Sequence, residues 1–237
     1  MVAAVFKVSY TKLGEEWPAV TLIGTAFFVT PRVALTARHI LPPSRYPPDE
    51  GYARCEYWLL GEDGSRIQFA PRQLTRARRV DAMRIDVREP CVGSPLTIVA
   101  GSAPMNEEYT ARGYADPSVV SDTYSVRARP WSRVEDVLGW FDLSTLRQAR
   151  RSIVRTIRTA TVAGADVRLD GVRVIEFDGG GVQGMSGGPL IHSASGHVAG
   201  ILSFGLPNVG KVKDVVYAMP VAEAIAGLTE APPARRP

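Results

Sequence analysis

The chemistry this chain could perform is concentrated around Ser186. That serine lies in the run GGGVQGMSGGPL, residues 179–190, with Gly180, Gly181, Gly184, Gly187 and Gly188 about it and Pro189-Leu190-Ile191 after it. Glycine adopts positive φ freely and lets neighbouring chain approach closely, so such a run allows successive N–H groups to converge beside the hydroxyl. Converging N–H groups can hold the oxyanion that forms when a hydroxyl attacks a carbonyl. A serine hydroxyl is a weak nucleophile and needs a general base from elsewhere in the fold. The chain has 3 histidines from which that base can come: His39, His192 and His197.

Gly184-Met185-Ser186-Gly187-Gly188-Pro189-Leu190 resembles the nucleophile loop of the chymotrypsin-like (trypsin-like) serine peptidases, and in its setting the bacterial, Deg-like branch. The letters also fit G-x-S-x-G, the elbow of α/β-hydrolases, in which the serine opens a helix and the order is Ser, acid, His. Here Pro189 follows closely, no acidic residue lies between Ser186 and His197, and no histidine lies beyond it. The elbow reading fails.

A second segment carries the same resemblance. GTAFFVTPRVALTARHIL, residues 24–41, looks like the strand, turn and strand that deliver the family's catalytic histidine. Thr36-Ala37-Arg38-His39 fits the T-A-x-H pattern, with Arg38 where a small residue is commoner. A lone histidine after an apolar strand is ordinarily structural. Paired with the Ser186 loop, His39 becomes the expected general base. The family's orienting aspartate leads a strand, and Asp81, ahead of Ala82-Met83-Arg84-Ile85, fits that place; Arg84 fits poorly, so Asp86 competes for the role.

The resemblance further implies an oxyanion hole from the N–H groups of Gly184 and Ser186. It places Ser203, Phe204 and Gly205 on the strand that binds substrate main chain and walls the primary pocket. Gly180, six residues before Ser186, falls at the pocket base, which implies a preference for uncharged side chains unless Asp214 reaches in. Met185 stands where many secreted members keep an aspartate, so activation by a newly made N-terminus is not expected.

The elements that must position these residues read mostly as strands. Residues 3–10 and 18–30 form the first two, with Gly24 as a bulge or close-approach point. Short apolar runs follow at 55–60, 66–69 and 73–80, the first two joined by a hairpin turn at 61–64. Residues 42–50 are a Pro-rich loop. Residues 89–95 read as a link between two barrels, and 109–117 as a strand with a turn like that of bacterial relatives.

Residues 142–158 break this pattern. Asp142 or Ser144 can cap a helix, and Leu146, Ala149, Ile153 and Ile157 recur at helical spacing. Arg147, Arg150, Arg151, Arg155 and Arg158 fill the rest, read first as a solvated face and second as a docking surface for an acidic regulatory protein. Arg72, Arg76, Arg78 and Arg79 form a second basic group, again read first as solvated. Without interleaved aromatics, nucleic acid is not the expected partner. Residues 198–205 and 215–220 read as the last strands, 221–228 as a closing helix and 229–237 as a disordered tail.

The formal net charge of +4 is too mild to argue for nucleic acid. With 2 cysteines, Cys55 and Cys91, a dense disulfide framework is excluded and buried free thiols are expected. No run is apolar enough to span a membrane, and no leader is visible, so a cytoplasmic location is the default. His192 and His197 lack a third ligand, so no metal is expected, and no cofactor.

The expected fold is all-β: two six-stranded antiparallel barrels of chymotrypsin-like type, an inserted amphipathic helix and a C-terminal helix. Residues 1–95 would carry His39 and Asp81, and residues 96–228 Ser186. The expected function is a serine endopeptidase acting on proteins or peptides through an acyl-enzyme, intracellular and regulated. The alternative is a catalytically silent peptide-binding module on the same fold; an esterase with the same triad also remains open.

Overall fold

The first strand explains how the chain is assembled. In β1 (Val2–Thr11), Val2, Ala4, Phe6 and Val8 point into one apolar cluster, while Ala3 and Val5 point into another. Successive side chains of a strand alternate faces, so a strand buried on both sides reads as an almost continuous apolar run. The cluster on the Ala3 side is filled by residues 1–91 alone. That on the Phe6 side also takes Tyr114, Leu169, Val174, Ile201 and Met219 from the later half of the chain.

The computed structural model describes residues 1–11, 19–41, 52–99, 101, 104–115, 143–163, 168–178, 183–206 and 215–229. In it, β1 is joined by β2 (Ala19–Thr30), β3 (Val33–Thr36), β4 (Tyr52–Gly61), β5 (Arg66–Phe69), β6 (Leu74–Arg76) and β7 (Met83–Asp86). They form a seven-stranded antiparallel sheet in the order β5-β4-β1-β2-β3-β7-β6. The register of β1 on β2 slips between Val5 and Phe6, opposite Gly24 and Leu22, which makes the irregularity expected at Gly24. Gly61–Ser65 closes the β4–β5 hairpin, with Gly64 at φ +81°.

The second unit is a closed antiparallel barrel. Its strands are β8 (Glu108–Tyr114), β9 (Arg147–Ala163), β10 (Arg168–Asp178), β11 (Pro189–His192), β12 (Val198–Leu206) and β13 (Val215–Pro220), in the order β10-β13-β12-β11-β8-β9. The helix α2 (Val221–Thr229) follows and packs Val221 and Ala224 into the shared cluster. The architecture is the chymotrypsin-like double barrel, its first sheet having seven strands where six were expected. Residues 42–50, 116–142 and 230–237, on which the Pro-rich loop and the tail were read, lie outside the described residues.

The inserted helix over 142–158 is corrected. Only Leu143–Leu146 (α1) is helical, and β9 then runs for 17 residues, paired with β8 on one edge and β10 on the other. Ile153, part of the supposed apolar stripe, is 54% exposed, whereas Ser152 and Val154 are buried. Pairing along both edges outweighs the helical spacing, and residues 153–162 are rich in β-branched Ile, Val and Thr, which fit a pleated surface.

Candidate active site

The site is built where the two units meet. Strand β3 ends at Thr36, and Arg38–Ile40 form one 3-10 turn, which presents His39 with 20% of its side chain exposed. Asp81 is fully buried at the end of the loop before β7. Its Oδ1 accepts the His39 backbone N–H at 2.9 Å, and its Oδ2 lies 2.7 Å from His39 Nδ1. Burial pushes the Asp81 pKa up, but the hydrogen bonds and charge of His39 and the Ser203 hydroxyl outweigh it, so the net displacement is downward. Asp86 instead pairs with Arg84, its Oδ1 2.8 Å from Nε. The carboxylate bonded to His39 is therefore that of Asp81.

Ser203 ties this pair to Ser186. The Ser203 hydroxyl donates to Asp81 Oδ2, and the Ser203 carbonyl accepts a hydrogen bond from Ser186 Oγ at 3.2 Å. A serine directly after the apolar run 198–202, on a buried strand, needs a partner, and that requirement is the sequence signal for this contact. Its hydroxyl is directed at the carboxylate. Phe204 and Gly205 continue β12, where Gly205 pairs with Val216. Gly180 and Asp214, on which the pocket reading rests, lie outside the described residues.

Of the glycines around Ser186, Gly184 and Gly187 are fixed by contacts between the two units and Gly188 by one within the second barrel. Gly184 and Gly187 have φ of +95° and +88°. A Cβ on Gly187 would stand 2.1 Å from the Thr25 carbonyl and from Thr36 Oγ1, and one on Gly188 would stand 2.1 Å from the Arg112 carbonyl. Thr25 acts as a latch that the sequence did not announce. Its N–H donates to the Ser186 carbonyl at 2.8 Å, its hydroxyl donates to the Gly184 carbonyl at 2.8 Å, and the hydroxyl accepts the Tyr114 N–H at 3.0 Å. Gly24 lies between the Ile40 side chain and the Ser186 carbonyl, so the turn bearing His39 and the loop bearing Ser186 approach each other across it.

Arg38 Nη1 donates to the carbonyls of Ala77 and Arg78, tying the His39 turn to the loop that carries Asp81. Met185 is buried in the apolar cluster of the second barrel. His192 is engaged by Glu107 and, at 2.9 Å, by Ser195 Oγ, while His197 is exposed. An imidazole whose Nδ1 faces a buried carboxylate keeps its other nitrogen for proton transfer.

Comparison with known proteins agrees with this fold. No curated protein matches the chain. Among solved structures it is similar to the Rv3671c protease of M. tuberculosis in its active form, with 16% identity over 97% of this chain and 82% of that one and a TM-score of 0.56. The inactive form of the same protease gives 16% identity over 95% and 87%, at a TM-score of 0.55. The model of the trypsin-like peptidase domain matches residues 24–201, a span that begins at the glycine beside Ser186 and includes His39, Asp81 and the whole serine loop. The chain therefore belongs to the trypsin-like peptidase family, as a serine peptidase.

Proposed function

We propose that the protein is an endopeptidase in which Ser186 attacks the scissile carbonyl, His39 takes the hydroxyl proton and later gives it to the leaving amine, and Asp81 orients the imidazole. The observation that carries this is the double hold of Asp81 on His39, through Nδ1 and the backbone N–H. With Nδ1–H donated to the carboxylate, Nε2 is the basic nitrogen, and the buried negative charge stabilises the imidazolium as it forms. The N–H groups of Gly184 and Ser186 would hold the oxyanion. In support, the Met185 carbonyl accepts the Gly188 N–H at 2.9 Å, which in a trans peptide turns the Ser186 N–H to the opposite side.

Cleavage through an acyl-enzyme needs no cofactor. A cytoplasmic location is supported by the cysteines: Cys55 and Cys91 are both free thiols, as suits a reducing compartment. Among the described residues no helix is long and apolar enough to cross a membrane. The resemblance puts Gly180 at the pocket base, where a buried Lys or Arg would enter without a counter-charge unless Asp214 reaches in; on that reading a peptide panel varied before the scissile bond should show Leu or Phe favoured over Arg by about tenfold.

Labelling with a fluorophosphonate tests the mechanism. The parent chain should take up one label, on Ser186, and the Ser186→Ala and His39→Ala variants none. Labelling that survives in Ser186→Ala would reject it in favour of a silent module carrying a reactive group elsewhere.

A further inference from the structure

A cleft of about 550 Å³ opens behind Asp81, between the loop Arg78–Val80, strand β10 and helix α2. Its wall carries Arg78, Arg79, Arg168 and Arg173 against Asp170 and Glu223, leaving two positive charges in excess. Arg168 pairs with Asp170 and Arg173 with Glu223, each at 3.3 Å. Arg78 and Arg79 are exposed, and among the described residues no carboxylate pairs with either. Three arginines of β9 differ: Arg147, Arg151 and Arg158 have Glu62, Glu108 and Glu176 beside them. Arg78 and Arg79 thus stand at the cleft as a pair of cations without a carboxylate partner among the described residues.

The floor of the cleft is apolar, made by Val80, Leu169 and Val172. Past the Arg173–Glu223 pair a second hollow of about 290 Å³ begins, lined by Ile157, Pro220, Ala222 and Ala226. A cationic subsite adjoining an apolar one suits a polypeptide that carries carboxylates next to an aliphatic side chain. A nucleic acid would set phosphates against Asp170 and Glu223 and would find no aromatic ring to stack on.

The loop that forms one wall also presents Asp81. Its neck is closed by the Ala77 N–H to the Ala82 carbonyl at 3.0 Å, and Arg38 Nη1 grips Ala77 and Arg78 from the His39 side. Gly227 of α2 comes within packing distance of Ala77 and Val80, so the helix rests on the same loop. We propose that the double cleft binds an acidic, Leu-containing segment of a partner protein, and that its occupancy steadies the Ala77–Ala82 loop and so the Asp81–His39 contact. The coupling rests on the triad reading above; the docking does not.

Fluorescence anisotropy with a labelled Asp-Glu-Leu-Asp-Glu-Leu peptide and the full-length Ser186→Ala chain tests the docking without cleavage. The peptide should bind, more weakly as salt rises, and adding Arg78→Glu with Arg79→Glu should weaken binding about tenfold or more. Circular dichroism on that variant establishes that it is folded. No binding, unchanged binding by the doubly reversed variant, or tighter binding of a DNA duplex at the same arginines would overturn the proposal. In the parent chain, saturating peptide should speed fluorophosphonate labelling about fivefold or more. Unchanged labelling at saturation would overturn the coupling. A parent chain that never labels would sink the catalytic reading and the coupling with it, while anisotropy still decides the docking.

Discussion

Asp81 and Asp86 stand five positions apart on one stretch of chain, and only their surroundings separate them. Asp81 is fully buried and holds His39, whereas Asp86 is partly exposed beside Arg84. Asp81→Asn would leave the shape but favour the wrong imidazole tautomer, so kcat should fall about 10⁴-fold; Asp86→Asn should stay within a factor of about three, the effect of an exposed pair. Steady-state peptide cleavage decides, and equal losses would move the assignment. A second outcome follows from the lowered pKa of Asp81. A depressed carboxyl contributes stability that is fully present above the unfolded value, near pH 4, and is lost as pH falls through the folded value. Urea unfolding should show this acid-side loss in the parent and a smaller one in Asp81→Asn. Both aspartates were visible in the sequence as candidates. The sequence favours Asp81, but the contact that separates the two, a carboxylate buried against His39 across 42 residues, was not legible in it.

At the scale of the element, strands whose apolar alternation feeds a core were legible, as β1, β2, β3 and β7 illustrate. Strand β9 was not. Its Leu146, Ala149, Ile153, Ile157 spacing imitates a helix, and the two neighbours that make it a strand, β8 and β10, lie outside that stretch of sequence. The serine loop was legible as a glycine demand, but not the reason for each glycine. Gly187 has positive φ and also lies where a Cβ would overlap the Thr25 carbonyl, while Gly64 has a similar φ of +81° with nothing within 4 Å. Gly64→Ala should therefore cost only the conformational penalty, about 1–2 kcal/mol. Gly187→Ala adds overpacking against backbone and should cost about 3 kcal/mol or more. Denaturant midpoints of the two variants measure the difference; equal costs would mean that the Thr25 approach carries no energetic weight.

For the whole molecule, the question is whether the two barrels are one cooperative unit. The proposed catalytic constellation is divided between them, with His39 and Asp81 on the first and Ser186 and Ser203 on the second. The apolar cluster beneath is divided as well, since Phe6 and Leu22 share it with Tyr114, Val174 and Ile201. Phe28, by contrast, belongs to the cluster enclosed by the first sheet alone. Losing a phenylalanine from either place costs about 3–5 kcal/mol, but a cavity in the shared cluster removes packing from both barrels. If that cluster makes them a single folding unit, hydrogen exchange at increasing urea should give β1 and β12 the same midpoint, and Phe6→Ala should lower both together. Phe28→Ala should then do the same, because destabilising one part of a cooperative unit destabilises it all. Were the barrels independent, Phe28→Ala would open β1 and leave β12 protected. That result would also mean that the serine loop keeps its fold after His39 and Asp81 have left it, and that the site is assembled by docking of two finished barrels.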